Sequence, residues 1–224
     1  MINLQNYQQI LSDLTPYKGK LVAVSKTKPV ETIKALYKEG QRIFGENYVQ
    51  ELVEKETQLP KDIEWHFIGH LQTKKVKHIA PFVSCIHSVD SWKLLNEIDK
   101  RAKQHNRVID CLLQFHIAEE TTKFGFDLEE VLTILVKPEW TELENTKIVG
   151  VMGMATFTDN KEQVQKEFQT LKHIFDKLNE DFFSKKSDNG TFKEISMGMS
   201  GDYALALEEG STMVRVGSLL FGRR

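Results

Sequence analysis

LVAVSKTKP, residues 21–29, is a short β-branched run that stops at two lysines and a proline. Val22, Ala23 and Val24 make an extended chain apolar on both faces, as a strand of a parallel sheet covered on both sides requires. Val30 to Glu39 follows with Ile33, Leu36 and Tyr37 at helical spacing, Pro29 beside the first turn and Gly40 where a left-handed cap sits. The order strand, lysine, turn, helix puts Lys26 and Lys28 at the carboxyl end of a buried strand, where α/β folds hold their chemistry. An amine kept there in a partly apolar pocket can shed its proton and attack a carbonyl. The plainer reading is that both lysines mark where the strand meets water. Strand parity leaves the choice between Lys26 and Lys28 open, because the two point the same way.

The same beat continues in both directions. Leu4, Tyr7, Ile10, Leu11 and Leu14 share one helical face, so the chain opens with an amphipathic helix. Downstream, Arg42 to Phe44 reads as a strand with a helix starting at Glu46 or Asn47, and Glu64 to Ile68 as a strand feeding a helix in GHLQTKKVKHIA. Val83 to His87 precedes a helix over Ser88 to Asn106, with Trp92, Leu95, Ile98 and Ala102 as its buried stripe. Val108 to Phe115 is the longest apolar strand, followed by the polar loop HIAEETTKFGF and a helix over Asp127 to Val136. Strands at Lys147 to Val151, Glu194 to Met197 and Met213 to Val216 alternate with helices over Asn160 to Glu180 and Asp202 to Glu209. Eight such repeats predict an α/β fold: a single (β/α)8 TIM barrel with an extra N-terminal helix, one domain over residues 1–224. The first strand-to-helix turn has no GxGxxG, which argues against an open dinucleotide-binding sheet.

A formal charge of −2 over 224 residues gives no basic field for nucleic acid, so any anion site must be local. Cys85 and Cys111 lie in apolar runs without metal-ligand spacing, which suits small buried residues in a reducing cytoplasm. There is no charged leader with an apolar core and no stretch near the ~20 apolar residues of a membrane span. A soluble cytoplasmic monomer is expected.

In a barrel of this kind the loops after strands seven and eight often bind phosphate. Here they read MGMSGDY and VGSLLFG. Ser200 is a candidate N-cap and Gly201 leaves the backbone open, while Gly217 and Ser218 directly follow a strand, so both loops can offer N–H groups to an anion. Ordinary capping and tight turning would account for either loop alone. Arg215 lies inside the last strand with the parity of Gly217 and needs a partner: a structural ion pair, or a ring nitrogen that would stay unprotonated beside a guanidinium. A lysine for an aldehyde, loops for a phosphate and an arginine for a pyridine nitrogen together describe pyridoxal 5'-phosphate (PLP).

AVSKTKP, FGENYVQE, WHFIGHLQ, MGMS and VRVGSLLFG, in this order, closely resemble the YggS/PROSC family of PLP homeostasis proteins, from about Leu21 to Gly222. The resemblance implies the barrel of the alanine racemase N-terminal domain. It assigns the Schiff-base lysine to Lys26, phosphate binding to Ser200, Gly201, Gly217 and Ser218, the pyridine-nitrogen contact to Arg215, and a place near the ring substituents to Asn47. It further implies a protein that carries the cofactor in vitamin B6 homeostasis without established catalytic turnover, with PLP, other B6 vitamers and transient contacts with PLP-dependent enzymes as partners. The chain departs from the family in LQTKK around Lys74, in the loop EETTKFGF and in stopping at Arg224. These departures bear on partner contacts more than on Lys26.

Two other readings compete. A PLP-dependent racemase or decarboxylase of the same barrel group would need a second acid or base on the far face of the substrate. A lysine-dependent aldolase would work without cofactor and be colourless. His66, His70, His87 and His116 lie near strand ends, but with no acidic partner spaced as a ligand set they read as satisfied or surface histidines, His70 bordering the cofactor. Met152, Met154, Met197 and Met199 read as packing of the barrel mouth, and the basic cluster TKKVKH as a solvated helix face.

Overall fold

Strand β1 (Lys20–Val24) buries Leu21, Val22 and Ala23, one set of side chains toward the barrel interior and the other toward the helices. The computed structural model describes residues 2–119, 124–184 and 191–222. Among these, β1 is followed by β2 (Ile43–Glu46), β3 (Glu64–Phe67), β4 (Cys85–Val89), β5 (Ile109–Phe115), β6 (Thr146–Gly153), β7 (Glu194–Ser196) and β8 (Met213–Val216). Each strand pairs in parallel with the next, and β8 closes onto β1 with Arg215 opposite Val22 and Val216 opposite Ala23. The expected closed (β/α)8 barrel is the observed fold.

The helices are α1 (Leu4–Leu14), α2 (Val30–Lys38), α3 (Val49–Gln58), α4 (Val76–Ile79), α5 (Trp92–Gln104), α6 (Leu128–Leu135), α7 (Lys161–Leu178), α8 (Tyr203–Glu208) and α9 (Ser218–Phe221). Gly40, with φ +99°, turns the chain out of α2 in the left-handed conformation that glycine adopts without a Cβ penalty. Outward-facing strand residues such as Ala23, Phe44, Phe67 and Val151 join Ile33, Leu36, Ile98, Phe168 and Leu171 of the helices in one continuous apolar layer. Each large side chain fully buried in this layer contributes about 1.5–3 kcal/mol. A second, smaller group (Cys85, Leu112, Val149 and Met152) fills part of the barrel interior. Both cysteines are buried, as their apolar surroundings predict.

Several boundaries differ from the expected ones for local reasons. Glu46 completes β2 and Asn47 lies in the turn, so α3 begins only at Val49. Ser88 lies within β4, and α5 starts after Ser91, whose Oγ accepts the Leu94 N–H at 3.3 Å. The helix expected over GHLQTKKVKHIA shrinks to a 3-10 turn at Thr73–Lys75 and the single turn of α4. Leu4 and Leu11 share the face of α1 but remain 41% and 39% exposed, leaving Tyr7, Ile10 and Leu14 to make its buried contact. Met197 packs in the outer apolar layer, not at the mouth, because β7 turns its odd-numbered side chains toward the helices. The altered loop at 120–123 and the chain end at Arg224 lie outside the described residues.

Candidate functional site

Lys26, Asn47, Ser200, Gly201, Gly217 and Ser218 all follow the carboxyl ends of β1, β2, β7 and β8, and Arg215 lies within β8. These four strands are consecutive around the barrel, so residues nearly 200 positions apart share one arc of its mouth. The approach is close: a Cβ on Gly217 would lie 3.1 Å from the Val24 carbonyl oxygen.

At the end of β1 the chain makes a turn closed by the Lys28 N–H donating to the Ser25 carbonyl at 3.0 Å. Thr27 takes φ 63° at the third position, where a turn of this shape usually carries glycine. Half-buried Lys26 sits at the second position, beyond the strand, so parity does not relate it to Lys28. Lys28 instead sends its Nζ to the carbonyls of Phe221 and Gly222, each at 3.1 Å, and ties down the end of α9.

A buried ionic group holds this turn. Lys55 Nζ donates to the Ser25 carbonyl at 2.7 Å, to Glu46 Oε1 at 2.7 Å and to Glu51 Oε1 at 2.6 Å. The Ser25 hydroxyl donates to Glu46 Oε1 at 2.6 Å, and the Thr27 N–H donates to Glu51 Oε1. Both neighbours of Lys26 are thus pinned to one cluster. Burial pushes the Glu46 carboxyl above its ordinary range, with Lys55 opposing. None of this was read from the sequence, although Lys55 is four residues after Glu51 and falls on the stripe marked by Leu52, a position where a lysine needs an internal partner.

The loops after β7 and β8 meet through Ser200. Its Oγ accepts the Gly217 N–H at 3.3 Å; the N-cap of α8 is Asp202, which makes no side-chain cap bond and instead accepts the Met199 N–H. Gly198, with φ +90°, makes the sharp exit from β7, and its carbonyl accepts the Arg215 N–H at 2.9 Å. Among the described residues no acceptor pairs with the N–H groups of Ser200, Gly201 or Ser218. A Cβ at Gly201 would have nothing within 4 Å. The two loops therefore present unpaired donors to open space, the arrangement that binds an oxyanion.

Arg215 is 4% exposed, and its hydrogen bonds go to neutral oxygens: Nη1 to Ser196 Oγ at 2.6 Å and Nη2 to the Gly153 carbonyl at 3.0 Å. The ion pair weighed for it from sequence is not what these bonds make. Burial lowers its pKa to about 10, with Asp202 opposing, so it is charged at neutral pH. Ser196 Oγ also lies 3.0 Å from His87 Nδ1, and His87 Nε2 lies 2.9 Å from His66 Nδ1. Both histidines are satisfied interior residues, held well below their ordinary pKa by burial, His66 at about 3. Cys85 lies beside them, its donor atom within 4.8 Å of theirs, a proximity that sequence spacing did not suggest. Charges of both signs face this group: Lys20 toward His66, Arg215 toward His87, and Asp110 and Glu194 toward Cys85.

Asn47 Oδ1 is buried with no partner, the mark of a polar group kept for something else. Gly69 makes its place: a Cβ there would lie 2.3 Å from the Asn47 carbonyl oxygen. His70 pairs with Asp90 at 3.2 Å and stacks on Phe124 at 4.2 Å between centroids. Lys74 and Lys77 are exposed, in keeping with a solvated face, and His116 is exposed as well. Among the described residues no helix is long and apolar enough to cross a membrane.

The family of the alanine racemase N-terminal domain matches residues 3–224. The chain is 42% identical over 208 residues to the pyridoxal phosphate homeostasis protein of Aquifex aeolicus, covering 92% of this chain and 87% of that one. It is 37% identical over 222 residues to the human protein of the same name, covering 95% and 79%. PipY of Synechococcus elongatus PCC7942, solved with PLP bound, superposes with a TM-score of 0.86 at 34% identity, covering 97% and 99%. An alanine racemase of Clostridium difficile 630, at 20% identity and a TM-score of 0.73, shares the barrel over 57% of its length.

Proposed function

Because the chain belongs to the pyridoxal phosphate homeostasis proteins of the alanine racemase N-terminal domain family, we propose that it binds PLP at the barrel mouth and serves as a carrier that keeps the cofactor's supply balanced. The observation that carries this reading is the pair of loops with unpaired N–H groups at Ser200, Gly201 and Ser218, set beside a charged interior arginine. The residues fit the cofactor: the loops suit its phosphate, Arg215 its ring nitrogen, and the orphaned Asn47 Oδ1 a ring substituent. When bound, PLP supplies an aldehyde that condenses reversibly with an amine. Lys26 is the amine we assign to it, held between Ser25 and Thr27 by the Lys55 cluster; Lys28 is committed to the α9 carbonyls. The Gly217 N–H, held by a long 3.3 Å bond to Ser200 Oγ, would be a further donor for the phosphate. Arg215 keeps its own proton and leaves the ring nitrogen without one, which makes the ring a weak electron sink and favours holding over turnover. The whole chain, 1–224, acts as one domain in the cytoplasm, as a monomer without catalysis of its own, exchanging PLP and other B6 vitamers with PLP-dependent enzymes.

The test adds PLP to purified protein, records the visible band, reduces with borohydride and maps the modified lysine. The expected result is one adduct at Lys26, absent from Lys26→Ala and retained in Lys28→Ala. No adduct, or an adduct at Lys28, refutes the assignment. Exchange of an amino acid's α-hydrogen with solvent deuterium at enzymatic rates would replace the carrier with the racemase reading.

A further inference from the structure

Below the mouth, the barrel interior holds a file of polar side chains that an aldehyde-binding lysine and a phosphate loop do not require. His66, His87, Ser196 and Arg215 come from β3, β4, β7 and β8 and are 4%, 0%, 0% and 4% exposed. Their contacts run without a gap: 2.9 Å, 3.0 Å and 2.6 Å. A guanidinium only donates, so Ser196 Oγ must accept at the Arg215 end. Its single proton then goes to His87 Nδ1, and His87 donates from Nε2 to His66 Nδ1; or the file runs in reverse, with His66 Nδ1 and His87 Nδ1 as donors. Both arrangements use two neutral imidazoles. Burying four polar groups in a barrel core is costly unless each bond is made, and here the file ends on the one side chain assigned to the ring nitrogen.

We infer that His66, His87 and Ser196 are positioning residues for Arg215. They fix Nη1 from below while the Gly153 carbonyl fixes Nη2, so that the guanidinium presents its donors to the ring nitrogen in one orientation. This rests on the cofactor reading above. Removing the Ser196 hydroxyl leaves both Arg215 Nη1 and His87 Nδ1 without a partner in the core and lets the guanidinium turn.

The experiment compares Ser196→Ala, Ser196→Thr and His87→Phe with the wild-type chain by PLP titration and by the visible spectrum and pH profile of the bound chromophore. In parallel, side-chain nitrogen NMR reads the histidine tautomers without PLP. Ser196→Ala and His87→Phe are expected to weaken PLP binding about tenfold or more and to move the absorption maximum and its pH midpoint, the trapped lysine remaining Lys26. Ser196→Thr, which keeps the hydroxyl, is expected to restore both. In NMR, wild-type His66 and His87 are expected to stay neutral at pH 5, with a tautomer pattern that Ser196→Ala disrupts. A wild-type adduct at Lys26 together with wild-type affinity and spectrum in Ser196→Ala overturns the positioning role and spares the cofactor reading; no wild-type adduct at all sinks the cofactor reading itself. Should His87→Phe not fold, the Ser196 pair decides alone. A stoichiometric metal ion that survives chelation in wild type and is lost in Cys85→Ala would also overturn the inference, by making the histidines ligands.

Discussion

Replacing Lys55 with methionine tests how the turn around Lys26 is held. Methionine matches the length and apolar stem of lysine, so the change removes an ammonium and little volume. The lost group is 4% exposed and serves three acceptors, one of them Glu46, which is fully buried. Breaking a buried pair from one side strands the other charge and costs about 3–5 kcal/mol, against a total of about 5–15 kcal/mol for a domain. The deficit depends on pH with a definite sign. The Glu46 pKa is raised above 4.5 in the fold, so between 4.5 and that raised value the native state holds more protons than the unfolded chain, and stability falls as pH rises. Without Lys55 the pKa rises further and the window widens, so the variant recovers toward the wild type as pH is lowered to 5. Urea unfolding followed by the fluorescence of Trp65, Trp92 and Trp140 measures this at pH 5 and pH 8. Glu46→Gln combined with Lys55→Met removes both charges and is expected to be more stable than Lys55→Met alone. A Lys55→Met protein within about 1 kcal/mol of wild type at pH 8, where a surface pair would leave it, would refute the argument.

Three further outcomes are expected. His66 and His87 are neutral in the fold but protonate below 6.5 when unfolded, so their stability is present above that pH and lost on acidification, His66 down to about 3; each steepens the fall by up to about 1.4 kcal/mol per pH unit, and urea midpoints from pH 4 to 7 read the slope. Gly69→Ala drives a Cβ to 2.3 Å from the Asn47 carbonyl oxygen and is expected to cost about 1–3 kcal/mol in a thermal or urea melt and to weaken PLP binding as Asn47 shifts. Glu167, 6% exposed, accepts from the Thr156 N–H and hydroxyl and from the Glu119 N–H; Glu167→Ala is expected to cost about 2 kcal/mol or more and to speed hydrogen exchange at Thr156 and Glu119.

The barrel was legible because it depends on order more than on contacts. Apolar runs such as VIDCLLQF separated by stripes such as Val164, Phe168 and Leu171 need only one-dimensional periodicity, and parallel closure follows from alternation. Positions at strand ends were legible for the same reason, and Lys26, Asn47, Ser200, Gly201, Gly217 and Ser218 all lie at the mouth. What those side chains do there was not. Ser200 looked like a cap for its own helix, but the N-cap position falls on Asp202 and the Ser200 Oγ serves Gly217, seventeen residues on.

The polar interior shows the limit most clearly. The file from His66 to Arg215 joins pairs 21, 109 and 19 residues apart, and no period or spacing rule relates them. Each member alone looked ordinary: a histidine in WHFIG, a histidine before Ser88, a serine in a three-residue strand. The informative sign was Arg215 itself, a buried arginine inside a barrel strand that needs partners; they are the Ser196 hydroxyl of neighbouring β7 and the Gly153 carbonyl of β6. A guanidinium hydrogen-bonded to a hydroxyl and a carbonyl, with the Asp202 carboxylate acting on it through space, keeps its positive charge inside the barrel, where an anionic, nitrogen-containing ring has reason to bind.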